Sequence, residues 1–224
     1  MASKEQEFID SLPLIKVANK NKLEEIFAGM AECPAKFAVK IPNLVKEISC
    51  SAFEGCTGLT SIIIPKSVKV IGEAAFKGCM GLTSITFPGS VTKIEFEAFE
   101  GCTGLTSITI PDSVAEIGNC AFAGCTGLTS IVVAEGNKVY DSRNGCNAIL
   151  ETATNTLIDG CKNSVFLDSV TKIGWCAFKG CTGLTSVVIP DSVTEIGNSA
   201  FEGCTGLTSI VIPDSVTDIG GARF

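Results

Sequence analysis

Twelve cysteines and no histidine in 224 residues set the chemistry this chain can attempt. Without histidine there is no Ser-His-Asp or Cys-His catalysis, no histidine-bearing zinc site and no imidazole pH switch. Thiols alone could bind metal or form disulfides. No Cys-x-x-Cys occurs, however, and that is the spacing zinc ribbons and thioredoxin-like sites need. Six cysteines follow a different rule. Cys56, Cys79, Cys102, Cys125, Cys181 and Cys204 each sit in the phrase Gly-Cys-x-Gly-Leu-Thr-Ser. One fixed slot per phrase is what packing asks of a small apolar residue with a weak S–H donor, and chelation does not need it. Carboxylates recur in the same manner. Asp112, Asp191 and Asp214 follow a proline, Glu116 and Glu195 fall on another edge, and Glu54, Glu100 and Glu202 flank a turn. No acid pair stands outside the pattern and no Gly-rich phosphate loop occurs, so the expectation is no enzyme and no cofactor.

Composition narrows the partners. Seventeen basic residues stand against twenty-four acidic ones, a net charge of −7, and only Arg143 and Arg223 are arginines. That balance argues against a nucleic-acid groove. An apolar content of 46% argues against disorder. No run of eighteen apolar residues occurs, so no membrane-spanning helix is expected. Residues 1–7 lack the basic-then-apolar pattern of a secretory signal, and the compartment stays unread.

The elements that position these residues come from a repeat. The Gly-Cys phrase recurs at Gly55, Gly78, Gly101, Gly124, Gly180 and Gly203, at spacings of 23, 23, 23, 56 and 23. The full unit is Val-x-x-Ile-x-x-x-Ala-Phe-x-Gly-Cys-x-Gly-Leu-x-x-Ile-x-Ile-Pro. A unit this short cannot bury its own apolar side chains, but stacked copies share one core, which makes a solenoid. Within the unit, Leu59, Ile62 and Ile64 predict a strand ended by Pro65. Val114 and Ile117 predict a second, shorter extended piece. Ala121-Phe122-Ala123-Gly124-Cys125 predicts a tight helical turn with Phe122 inward. The fold class expected is mainly β with short helical turns, about eight coils at roughly 4.8 Å spacing.

The unit Leu-x-x-Ile-x-Ile-Pro-x-Ser-Val-x-x-Ile-Gly-x-x-Ala-Phe-x-x-Cys resembles the Treponema-type leucine-rich repeat of BspA-like proteins, over residues 36–224. The resemblance implies a right-handed leucine-rich-repeat solenoid with a parallel concave sheet. It also implies a non-catalytic role in protein binding or adhesion, toward a protein ligand such as a host or matrix protein, at the cell surface or secreted.

Two regions depart from the period. Residues 1–35 carry apolar spacing of helical type at Leu23, Ile26, Phe27 and Met30, and again at Phe8, Ile9 and Leu12 before Pro13. They are read as an N-terminal helical cap over the open end of the core, with Phe37, Val39 and Ile41 as the first degenerate strand. One unit, around 134–167, has 33 residues rather than 23. Its two apolar stretches about a polar turn predict a β-hairpin. If Ile149 faces Ile158, the same register sets Cys146 opposite Cys161. A disulfide between them and two thiols packed under the hairpin both fit that register.

Strand side chains alternate, so two outward columns follow. One is Ser61, Ser84, Ser107, Ser130, Ser186 and Ser209. The other is Ile63, Thr86, Thr109, Val132, Val188 and Val211. A flat face of hydroxyl and β-branched residues without Lys or Glu is a candidate interface, although the same residues also favour strand formation. The long unit holds the sole tyrosine, Tyr140, with Arg143 close by, and both are favoured contact residues. The alternative is that Tyr140 packs under the hairpin. Regular hydroxyl columns could also meet ice or sugars, but they lack aromatic stacking partners. A different class of reading is a structural spacer, or a truncated or engineered segment of a larger surface protein, since the last unit stops at Phe224. An open end could also stack on a second copy, giving end-to-end self-association.

Overall fold

Side-chain alternation along each unit is what builds the strands. In Ser107–Ile110, Ile108 and Ile110 point inward while Ser107 and Thr109 are exposed. The structure, a computed structural model, describes residues 14–16 and 36–221. Over them the chain winds as a parallel-stacked β-solenoid of about eight turns, mainly β. Its longer strands pair in parallel, Phe37–Lys40 with Leu59–Ile63, Ser107–Ile110 with Ser130–Val133, and Ser186–Val188 with Ser209–Val211. Residues 82–87 fill the same slot, with Ile85 and Phe87 buried, but complete no ladder. On another side, the two-residue strands Glu47–Ile48, Val70–Ile71, Lys93–Ile94 and Glu116–Ile117 stack in parallel at the 23-residue register.

Between the two strand sets, the Ala-Phe-x-Gly-Cys segment makes consecutive tight turns. Ala52, Glu54 and Cys56 donate their N–H groups to the carbonyls of Ser49, Ser51 and Phe53. Among the described residues the sole helical element is the 3₁₀ turn Arg143–Gly145. The turn aims each phenylalanine inward. Phe53, Phe76, Phe99 and Phe122 stack ring on ring at 5.1, 5.1 and 5.4 Å. The cysteine column forms as expected. Cys79, Cys102 and Cys125 donate S–H to the carbonyls of Phe53, Phe76 and Phe99 at 3.0, 3.1 and 3.1 Å. Serines and threonines do the same from the coil edges. Ser90, Ser113, Ser192 and Ser215 donate to the carbonyls of Val68, Val91, Val170 and Val193. Each of these thiols and hydroxyls thus occupies a lone pair on the preceding coil.

The helical cap expected at 1–35 lies outside the described residues, apart from Leu14–Lys16. Those three, which fall between the two expected helices, form a strand parallel to Phe37–Lys40.

The irregular unit contains the expected hairpin. Ala148–Glu151 runs antiparallel to Thr156–Gly160, and Tyr140–Asp141 pairs with the far edge of Ala148–Glu151. The register that set Cys146 opposite Cys161 is corrected. Leu150 faces Leu157, but an irregularity before Leu150 makes Ile149 face Asp159 rather than Ile158. That slip of one residue carries Cys146 out of line with Cys161. Both remain buried free thiols, donating to the carbonyls of Ala148 and Asn147 at 3.7 and 3.6 Å.

Candidate functional site

The strand face takes shape from the two outward columns. Ser84, Thr86, Ser107, Thr109, Ser186, Val188, Ser209, Val211, Ile63 and Val132 are exposed, while Ser61 and Ser130 are half-buried. Register ties them into rows. Ser107 lies beside Ser130, Thr109 beside Val132, Ser186 beside Ser209 and Val188 beside Val211. Val188 is 68% exposed, more than any other large apolar side chain among the described residues. The face free of charge begins at Leu59–Ile63. One coil earlier Lys40 stands beside Ile63, and Ala38 beside Ser61 is buried.

The long unit abuts this face. Ser142 Oγ accepts the N–H of Val133 at 3.0 Å, which caps the edge of the Ser130–Val133 strand. Arg143 is half-buried, its Nε donating to Asp141 at 2.9 Å and its Nη1 to Asn155 at 3.2 Å. A hollow of about 460 Å³ brings Val132 and Arg143 together with Ser142 and Asn147. Tyr140 has a different place. Its ring is 5% exposed and its hydroxyl accepts the N–H of Ile117 at 3.0 Å, a proton the next short strand would otherwise take. Burial pushes the Tyr140 phenol above its ordinary range. Tyr140 lines the hollow with little of its surface outward.

Four further residues escaped the sequence reading. The irregular unit makes no Ala-Phe turn, so the turns before and after it close on one another. Gly124 donates to the carbonyl of Lys179 at 2.7 Å, and a Cβ at Gly180 would stand 2.8 Å from the Gly124 Cα. This closure joins Cys120 and Cys176 in a disulfide with Cα atoms 5.1 Å apart. The carbonyl that Phe122 N–H would meet in a regular neighbour is missing, and Asp159 Oδ2 accepts that proton at 3.2 Å instead. Asp159 is 3% exposed, and burial raises its carboxyl well above the usual range, against the lowering from the Phe122 and Gly160 N–H groups. The fourth residue is Trp175, half exposed beside a groove on the turn side. The sequence did carry one signal for the disulfide. Cys120 and Cys176 hold the same slot of their units, just before Ala-Phe, and become neighbours once the irregular unit is taken out of that stack.

The model of the BspA type leucine rich repeat region matches six copies over residues 22–146 and 158–224. The chain belongs to this family. BspA-type repeats of this kind are typically surface-associated and generally serve as non-catalytic, protein-binding scaffolds. No curated protein matches the chain. Among solved structures it is similar to the pneumococcal vaccine antigen PcpA, at 22% identity and a TM-score of 0.68 over 82% of this chain and 58% of that one, a likeness of fold alone. A leucine-rich repeat protein from Bacteroides ovatus matches at 33% identity and 0.56, over 82% of this chain and 51% of that one. A leucine rich cell surface protein from Faecalibacterium prausnitzii matches at 29% identity and 0.51, over 83% and 64%. The BspA-type chain described here therefore spans little more than half the length of the first of these structures. No helix among its described residues is long and apolar enough to cross a membrane.

Proposed function

We propose that this repeat scaffold binds a protein ligand, such as a host or matrix protein, at a microbial cell surface, through the strand face and the Arg143 hollow. The observation that carries this is the face itself. From Leu59–Ile63 onward, its outward columns hold Ser, Thr, Val and Ile without a lysine or carboxylate, and Val132, Val188 and Val211 stand 44%, 68% and 53% exposed. Solvated strand surfaces ordinarily carry charge, which also blunts unwanted pairing. A row of exposed β-branched residues bordered by Arg143 has the apolar centre and polar edge of an interface. The likeness to a protein described as a cell surface protein supports the location.

The test uses purified matrix and host-surface proteins against the intact chain in surface plasmon resonance. Thr109→Arg with Val132→Arg, and separately Arg143→Ala, should each weaken a saturable interaction by about tenfold or more, the scale of a hot-spot truncation. Circular dichroism should be unchanged, because Thr109 and Val132 project outward and Arg143 makes only partly exposed polar contacts. If neither variant alters affinity, the site assignment is wrong even where binding exists.

A second reading is a spacer within a longer surface protein. It is favoured by the recurring Ser, Thr and Cys side chains that bond the preceding coil, a structural role. Under it no panel member binds, and lengthening the array by whole 23-residue units leaves adhesion unchanged in kind.

A further inference from the structure

On the turn side of the irregular coil lies a groove of about 440 Å³, within the range of small-ligand pockets, roughly 300–1,000 Å³. It exists because the short-strand sheet is interrupted there. Glu116–Ile117 ends one sheet, and Thr156–Gly160 leads into Lys172–Ile173 in the next. The hairpin end forms one wall, Asn119 and Trp175 the other. Trp175 is the single tryptophan of the chain and is 50% exposed. Its indole lies against the following coil because Gly197 has no side chain there, and a Cβ at Gly197 would stand 2.7 Å from the Trp175 Cδ1. The remaining lining mixes Ile158 with polar groups. Thr154 Oγ1 donates to the Glu151 carboxylate, Thr194 and Asn119 add a hydroxyl and an amide, and Lys172 is paired with Glu195 at 2.6 Å.

We propose that this groove binds a neutral carbohydrate, one or two pyranose rings of a glycan, stacked on Trp175. A pyranose offers a C–H face that packs on an aromatic ring, and a rim of hydroxyls that both donate and accept. Asn119 can both donate and accept, while the Thr194 oxygen, whose proton goes to the Thr171 carbonyl, and the Glu151 carboxylate accept. An acidic sugar or a nucleotide would set its anion against Glu151 and Glu195, with the one lysine already engaged. A purely apolar ligand would strand the hydroxyls, amide and carboxylates without partners. The outward serine and threonine columns of the strand face lack an aromatic platform, and this groove has one. The site is on a different side from the strand face and does not depend on it.

Because Trp175 is the sole tryptophan, intrinsic fluorescence of the intact chain reports this groove alone. Titration with cellotriose, maltotriose and chitotriose should give a saturable change with at least one of them, and isothermal calorimetry should return the same affinity. Trp175→Ala should weaken calorimetric binding by about tenfold or more, while Trp175→Phe, which keeps a ring, should lose less. Half exposed as Trp175 is, both variants should retain the circular dichroism of the parent. The proposal is overturned if no neutral oligosaccharide gives saturable binding. It is equally overturned if Trp175→Ala binds as the parent does, or if sialyllactose or a nucleotide binds more tightly than every neutral sugar.

Discussion

Asp159 shows how one side chain can stand in for a piece of missing backbone. In regular coils Phe76 and Phe99 donate their N–H groups to the carbonyls of Ala98 and Ala121, both at 2.8 Å. Phe122 has no such carbonyl and donates to Asp159. The carboxylate is buried, which favours the protonated form. A group that holds its proton more tightly folded than unfolded stabilises the fold below about pH 4, its unfolded value, and loses that contribution as pH rises through the raised folded value. Asp159→Asn keeps an acceptor for Phe122 without the charge. It should raise the urea midpoint near neutral pH, and raise it less near about pH 4, because the parent is then largely neutral. Asp159→Val should lower the midpoint at both, by about 1–3 kcal/mol of stability, since it strands a buried N–H. Equal effects of Asn substitution at the two pH values would show that Asp159 titrates normally. The cysteine column belongs to the same scale. Burial pushes the Cys125 and Cys181 thiols upward, so these positions are inert fillers and resist alkylation in the native protein.

At the scale of elements, the stacked phenylalanines and the closure around the irregular unit matter most. Phe99 touches both neighbours in its stack and meets Phe87 edge-on at 5.6 Å. Truncation to Phe99→Ala should cost about 3–5 kcal/mol in chemical denaturation, because packed coils on either side cannot collapse into the void. The Cys120–Cys176 disulfide closes a loop of 56 residues around the hairpin. In the chain-entropy account a loop of that length is worth about 4 kcal/mol. Cys120→Ala with Cys176→Ala should then lower the melting temperature on the order of 10 °C. Intact mass should rise by one hydrogen on each of these two sulfurs after reduction, and peptide mapping should find Cys146 and Cys161 unlinked. A Cys146–Cys161 peptide in the non-reduced digest would contradict the hairpin register.

The whole molecule divides where the irregular unit sits. One hydrophobic cluster runs from Phe37 to Cys161, and a second from Cys146 to Val216. They meet at the hairpin, joined on the turn side by the disulfide, by the Lys179–Glu100 pair at 3.2 Å and by the Gly124–Lys179 bond. Repeat arrays unfold by neighbour coupling, so weakening one junction separates the halves. Native-state hydrogen exchange should show one cooperative unit in the oxidised protein. After reduction it should show two, with residues 184–212 exchanging before residues 59–110. A single unit under both conditions would mean the hairpin alone carries the coupling.

The period of 23 and its apolar slots were enough to specify coils, inward Phe and Cys columns and the outward Ser and Thr/Val columns, because each follows from stacking identical units at one register, and two apolar stretches about a polar turn specified the hairpin. The BspA-type family followed from the same residues. What surrounds the break in period was not legible in this way. The partner of Cys120, the acceptor for Phe122 and the groove beside Trp175 all depend on which coil lies next to which once one turn is omitted. Sequence separation does not reveal that adjacency. It is decided in three dimensions, where the neighbouring turns close over the gap and buried N–H groups take whatever acceptor the closure brings within reach.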